Sequence, residues 1–173
     1  PMSVDVSNLT TDITSGIKAL AQCPLGTGHD NFLNGIIVQF DLTCSNKMWV
    51  EMQRYHFVDF VSSQSTMHKA ANMDLDKCMN EYVTEQTKLN CKVLQDVLKV
   101  NPSTENYLRL LYNLPSGLEL TARMTTNYRQ LKTIYAQRKN HRLPEWRRFC
   151  EWIEDLPMSE LIIGGNDGAN GDS

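Results

Sequence analysis

Apolar positions along the chain recur at two spacings, and the changes between them mark the elements. Gly35 to Leu42 (GIIVQFDL) is rich in Ile and Val and then alternates around Gln39 and Asp41, which predicts a strand. Phe57 to Val61 (FVDFV) alternates again before a polar run, Ser62 to Thr66. Leu118 to Thr126 reads as a third strand with polar residues interleaved. Between these the period lengthens to three and four. Leu75, Cys78, Met79, Tyr82 and Val83, then Val93, Leu94, Val97 and Leu98, predict one long helix over Leu75 to Val100, stopped before Pro102. Shorter helices are predicted from Thr11 to Leu20 (capped by Thr10 or Thr11), after Ser45 to about Arg54, and over Tyr107 to Tyr112 behind Ser103 or Thr104. Two more are predicted at Asn127 to Lys139 and at Pro144 to Leu156, where Pro144 suits a first turn. Turns fall at Cys23 to Asn31 and at Pro115-Ser116-Gly117.

Strands and helices alternate without a βαβ rhythm, so the expected class is α+β. The expected architecture is a single domain, with a small mixed or antiparallel sheet flanked by helices, one of them long. Its expected limits are 11–162. Residues 1–10 read as an N-terminal arm, with Pro1 before Met2 looking like a cleavage scar, and 163–173 as a flexible tail without an apolar anchor. A chain of 173 residues with 41% hydrophobic and 21% charged residues fits one globular core. No apolar run approaches the ~20 residues needed to span a bilayer, and no signal-peptide pattern opens the sequence. The net charge of −3 argues against a general nucleic-acid binder. Five cysteines without a CxxC pair fit a reduced, cytoplasmic protein, and the four histidines lack metal-ligand spacing.

Two stretches concentrate chemistry. Eight Lys or Arg residues lie between Arg123 and Arg148, opposed only by Glu145. Within them, Asn127, Leu131, Ile134 and Arg138 fall at i, i+4, i+7 and i+11 and share one helix face. Leu131 and Ile134 turn inward, which leaves Asn127 and Arg138 at the border of the buried side. A half-buried guanidinium needs a carboxylate, a phosphate or an aromatic partner. A nucleotide phosphate would serve, and so would Glu119 or Glu145. The second stretch, Glu51 to His68, gathers Arg54, His56 and His68 with Ser62, Ser63, Gln64, Ser65 and Thr66. It reads either as a hydroxyl-rich ligand loop or as an ordinary surface loop. The chain carries no P-loop, GxGxxG or nucleophile elbow.

In order and spacing, these stretches resemble a known family. Asn127-Tyr128-Arg129-Gln130-Leu131, then Arg138, then Glu145-Trp146-Arg147 resembles the C-terminal signature of the flavin-dependent thymidylate synthases (the thymidylate synthase-complementing family). That signature reads N-x-R-x-L, an Arg ending the same helix, and E-I-R-like residues opening the next. Upstream, Gly28-His29-Asp30, the strand Ile36 to Leu42, a helix and Arg54-Tyr55-His56 follow the order leading into the family's R-H-R-x-x-S-x-N-E-x-S-x-R-Y motif. The resemblance spans roughly residues 28 to 155.

The resemblance implies FAD as cofactor, held by Arg54, His56, Asn127 and Arg129. It implies a pyrimidine deoxynucleotide as substrate, held by Arg54, Ser65 and Arg138, with Ser65 matching if one residue is inserted after Arg54. It implies a homotetramer with sites shared between subunits. NADPH and folate enter only if the family's full reductive one-carbon transfer to dUMP is kept. The chain departs from the motif at Tyr55 and His56, at Ser62-Ser63 in place of N-E, and at Met67-His68 in place of R-Y. Met67 has no donor for a phosphate.

Three readings follow. The first is a diverged flavoenzyme of this kind, a transferase of pyrimidine nucleotide metabolism. The second is a non-catalytic nucleotide-binding or interaction protein on the same scaffold. The third is an unrelated α+β protein whose basic helices meet nucleic acid or an acidic partner.

Overall fold

The computed structural model describes residues 13–24 and 26–164. The expected arm over 1–10 and most of the expected tail, 165–173, lie outside the described residues. The first described helix, α1 (Ser15–Ala21), is capped by Thr14, whose hydroxyl accepts from the Ile17 amide. It therefore starts later than the sequence pattern suggests.

Three strands, β1 (Ile37–Ser45), β2 (Asp59–Ser63) and β3 (Glu119–Asn127), form one antiparallel sheet in the order β1-β3-β2. The last strand in sequence is central: β3 pairs along its whole length with β1, from Ile37 opposite Asn127 to Ser45 opposite Glu119. β2 pairs on the other side, with a bulge between Phe60 and Ser62. It begins two residues later than the FVDFV alternation implies. The reason is backbone geometry: Phe57 sits at φ 59°, a left-handed conformation outside the extended region of regular strands.

Helix α2 (Asn46–Met52) opens at Ser45, which ends β1 and also caps the helix by accepting from the Met48 amide. The long helical pattern from Leu75 is interrupted. α3 (Thr66–Lys69) and a 3-10 turn precede it, and the helix proper, α4, runs only from Glu85 to Val100. Side chains compete with the helix before that point. Asp74 Oδ1 accepts from the Asp76 amide, Asn80 Oδ1 accepts from the Tyr82 amide, and Thr84 caps α4. Residues 78–80 instead lie against 117–119: the Glu119 amide donates to the Cys78 carbonyl, and the Asn80 amide to that of Gly117. Leu75, Met79 and Val83 still face inward, packing with Cys91 and Leu118. Their spacing serves a loop-built cluster rather than a helix stripe.

α5 (Thr104–Tyr112) is capped by Ser103. α6 (Tyr128–Arg138), α7 (Pro144–Glu154) and α8 (Glu160–Ile163) then cover one face of the sheet. The main core joins Met48, Trp49 and Met52 of α2, Met124 of β3, Leu131 and Ile134 of α6, and Trp146, Phe149 and Ile153 of α7. Leu161 and Ile162 of α8 are buried in it as well. No helix among the described residues is long and apolar enough to cross a membrane.

Candidate functional site

The site forms where β3 turns into α6. Asn127 is the last residue of β3 and the N-cap of α6, and its Oδ1 accepts from the Gln130 amide at 2.9 Å. The next amide, of Tyr128, is taken by the Ile36 carbonyl at 3.0 Å. Asn127 is only 8% exposed, and among the described residues its Nδ2 has no hydrogen-bond partner. It lines a cleft of about 270 Å³ together with Asn34, Phe57, Arg129, Gln130 and Thr133.

Beneath this cleft lies a buried charge cluster. Gly28, at φ 79°, turns the chain so that Asp30 passes under α6 with no exposed surface. Arg129 donates from Nε to one Asp30 oxygen at 3.2 Å, and Lys132 donates from Nζ to the other at 3.0 Å. Lys132 also donates to the Cys23 carbonyl at 2.8 Å. Burial pushes the Asp30 carboxyl up, but the hydrogen bonds and charges of Lys132 and then Arg129 outweigh it and hold its pKa below the ordinary value. One carboxylate faces two cations, so the cluster keeps one positive charge. The Arg129 side chain remains 32% exposed, toward the cleft it lines. A partly buried, uncompensated positive charge favours an anion there.

Arg138 lies eleven residues after Asn127, at the other end of α6 and about 16 Å along the helix axis. It is also a border residue, as the face pattern predicts, with its side chain 15% exposed. Its carboxylate partner is Glu51 of α2, rather than Glu119 or Glu145, with Nη1 at 3.1 Å from Oε2. Arg138 Nε donates to the Tyr55 hydroxyl at 2.7 Å, and its guanidinium lies 4.7 Å from the Trp146 ring centroid. Trp146 Nε1 donates to the same Glu51 oxygen at 2.9 Å. Glu145 is occupied elsewhere: its carboxylate accepts from the Ser45 amide and hydroxyl. The Glu51 carboxyl is raised by burial but held low overall by Trp146, Lys47, Arg138 and His141. His141, 3.7 Å from Glu51, has its pKa lowered by burial and by Arg138.

The other predicted residues take distinct places. Arg54 and His56 are exposed, one on each side of Tyr55. The segment Tyr55–Phe57 lies along α6, with the Tyr55 hydroxyl donating to Gln137 and the Phe57 carbonyl accepting from Thr126. Arg54 and His56 thus sit in the segment between Tyr55, which meets the Arg138 end of α6, and Phe57, which lines the cleft at Asn127. Ser65 lies beyond the far end of β2, which pairs Ser63 with Ala122 while Asp59 pairs with Thr125. Within one chain it is not brought to Asn127 and Arg129.

Sequence reasoning did not single out Phe57, Glu51 or Lys132 as site residues. A signal existed for two of them. In FVDFV, Asp59 marks the outward face, and Phe57 shares that face at i−2. Lys132 follows the inward Leu131 directly and needs a buried acid. The partner of Arg138 had no local signal, because Glu51 is 87 residues away.

Two other features carry less chemistry. A pocket of about 350 Å³ lies among Lys47, Tyr82, Thr84, Pro144 and Arg148, but its buried charge, Glu145, is already satisfied by Ser45. The buried thiols of Cys44, Cys91 and Cys150 are all pushed up by burial, which disfavours the reactive thiolate.

No protein-family model matches this chain, and no curated protein matches its sequence. Its fold is nonetheless similar to solved structures. One is thymidylate synthase X from Helicobacter pylori with FAD and dUMP, at a TM-score of 0.62 and 14% identity, covering 84% of this chain and 79% of that one. A second structure of the flavin-dependent enzyme from H. pylori, complexed with FAD and dUMP, gives a TM-score of 0.67 at 14% identity. It covers 85% of this chain and 81% of the other. The similarity establishes a thymidylate-synthase-X-like fold.

Proposed function

We propose that this chain is a diverged flavin-dependent, thymidylate-synthase-like enzyme that acts on a pyrimidine deoxynucleotide, as a cytoplasmic homotetramer. The observation that carries this reading is the cleft at the N-terminus of α6. There the surplus positive charge of the Asp30-Arg129-Lys132 cluster and the unused Asn127 Nδ2 open on the same space. That donor set suits an anionic, acceptor-rich group such as a flavin nucleotide. The likeness to H. pylori structures with FAD and dUMP supports the same reading.

FAD, when bound, supplies the hydride chemistry that no side chain can. The chain's own work is binding and orientation. Arg129, anchored by Asp30, presents its remaining N–H groups to the anion, and Asn127 donates beside it. Arg54 and His56, exposed on either side of Tyr55, are the further donors assigned to the flavin. Arg138 and Ser65 fall to the nucleotide, and Ser65 reaches a site only across a subunit boundary. NADPH and folate belong to the proposal only as co-substrates of the complete one-carbon transfer.

A non-catalytic nucleotide-binding protein is the second reading. The observation favouring it is that Arg138 is already fastened by Glu51, Tyr55 and Trp146, which leaves less of the guanidinium to act on a substrate.

The test is a visible absorbance scan of the purified protein, followed by mass spectrometry of what heat releases and by titration with FAD. The expected result is a yellow protein that releases FAD or takes it up. A protein that stays colourless after FAD is added overturns the flavin reading, and a released nucleotide without flavin supports the second.

A further inference from the structure

Phe57 is the most unusual residue beside the cleft. It is 67% exposed, yet it stands between half-buried Tyr55, tied to Gln137, and buried Val58. Its φ of 59° is a conformation that a bulky residue adopts only when its surroundings impose it. Those surroundings are visible. Thr126, 4% exposed and next to Asn127 in β3, donates from Oγ1 to the Phe57 carbonyl at 2.7 Å. The fold thus holds an apolar ring out toward solvent, against both backbone preference and the tendency of Phe to be buried. The ring lines the same 270 Å³ cleft as Asn127 and Arg129.

We infer that Phe57 is a stacking platform, and that the cleft selects ligands that join a planar conjugated ring to an anionic group. This rests on the cleft's being a nucleotide site, and it adds the means of ring recognition. Arg129 and Asn127 take the polar part of the ligand, and the Phe57 ring takes the flat face. Thr126 is a positioning residue that acts through the Phe57 carbonyl. Every ring-bearing nucleotide has a π-face, so the platform discriminates ring from no ring more than one base from another.

The test compares FAD with inorganic pyrophosphate, which offers anionic charge and no ring, by calorimetric titration of the full chain. Phe57→Leu weakens FAD by about tenfold or more and leaves pyrophosphate unchanged, whereas Phe57→Trp keeps FAD affinity. Thr126→Val lowers FAD affinity selectively in the same way. Phe57→Gly melts at or above the wild-type temperature while binding FAD weakly, since glycine accepts the left-handed backbone without strain. Equal FAD affinity in wild type and Phe57→Leu overturns the platform and leaves the cleft reading standing. Absence of FAD binding in the wild type overturns both. Because Phe57 is exposed, its replacement leaves folding intact, which circular dichroism verifies.

Discussion

Asp30 and Lys132 are 102 residues apart in sequence and 3.0 Å apart in space, and both side chains are almost wholly buried. Their contact fixes the glycine-rich segment that follows Cys23 to the middle of α6, directly below the candidate cleft. Each would be costly to bury alone, and each is held by the other.

That mutual dependence sets the first expectation. Asp30→Asn leaves the Lys132 ammonium buried without its carboxylate and is expected to cost about 3–5 kcal/mol of stability. Urea unfolding followed by circular dichroism measures it. A loss below about 1 kcal/mol would show that the pair does not hold the segment.

Two carboxyls, one at each end of α6, give the protein an acid limit. Asp30 and Glu51 both have pKa values lowered from their ordinary 3.8 and 4.5. A depressed carboxyl stabilises the fold fully above its unfolded pKa, and that contribution fades as pH falls through the lower folded value. Melting temperature is therefore expected to be insensitive to these two groups above about pH 5 and to drop steeply below pH 4. In Asp30→Asn that acid slope should flatten. An unchanged slope would place the acid sensitivity elsewhere.

Arg138→Ala removes the cation from a half-buried carboxylate and the ring partner from Trp146. A destabilisation of about 2–4 kcal/mol is expected. Arg138→Lys should restore only part of it, because an ammonium cannot stack flat or donate along two directions in the same way. Binding of dUMP, measured in parallel, separates two roles. Lost binding in a variant that remains folded supports contact with substrate, whereas unchanged binding in a weakened fold assigns Arg138 to structure.

Arg129→Ala spares the Lys132 bond to Asp30, so the expected stability loss is small. Its effect should fall on ligand: FAD affinity is expected to drop more than dUMP affinity, by about tenfold for one lost charged hydrogen bond. Titration of both ligands against the variant decides it. Equal weakening of the two would show that Arg129 does not act on the flavin in particular.

Much of the local architecture was legible in the chain. Ser45 and Ser103 announced their helices, Pro144 opened α7, and the alternation around Gln39 and Asp41 marked β1. These signals act within a few residues, as when Ser45 and Ser103 accept from amides three positions on, so neighbours in sequence suffice. The long helix from Leu75 failed for a related reason. Apolar spacing reports which residues turn inward, and Leu75, Met79 and Val83 do so. They sit in turns that Asp74 and Asn80 stabilise with their own side chains.

The candidate site divides along the same line. The spacing of Asn127, Leu131, Ile134 and Arg138 on one face of α6, and the presence of a basic segment in an acidic chain, belong to the sequence by itself. So does the border position of Arg138, since helix periodicity alone places it there. Which acid each cation meets was decided only by tertiary structure. Glu51 reaches Arg138 because α2 and α6 share a core, and Asp30 reaches Arg129 and Lys132 because Gly28 turns the chain under α6. The exposed, left-handed Phe57 has its carbonyl bound by Thr126, 69 residues away. Helix caps and periodicity are short-range and therefore written locally. Ion pairs and strained backbone depend on sheet register and packing, which fix positions that no local pattern specifies.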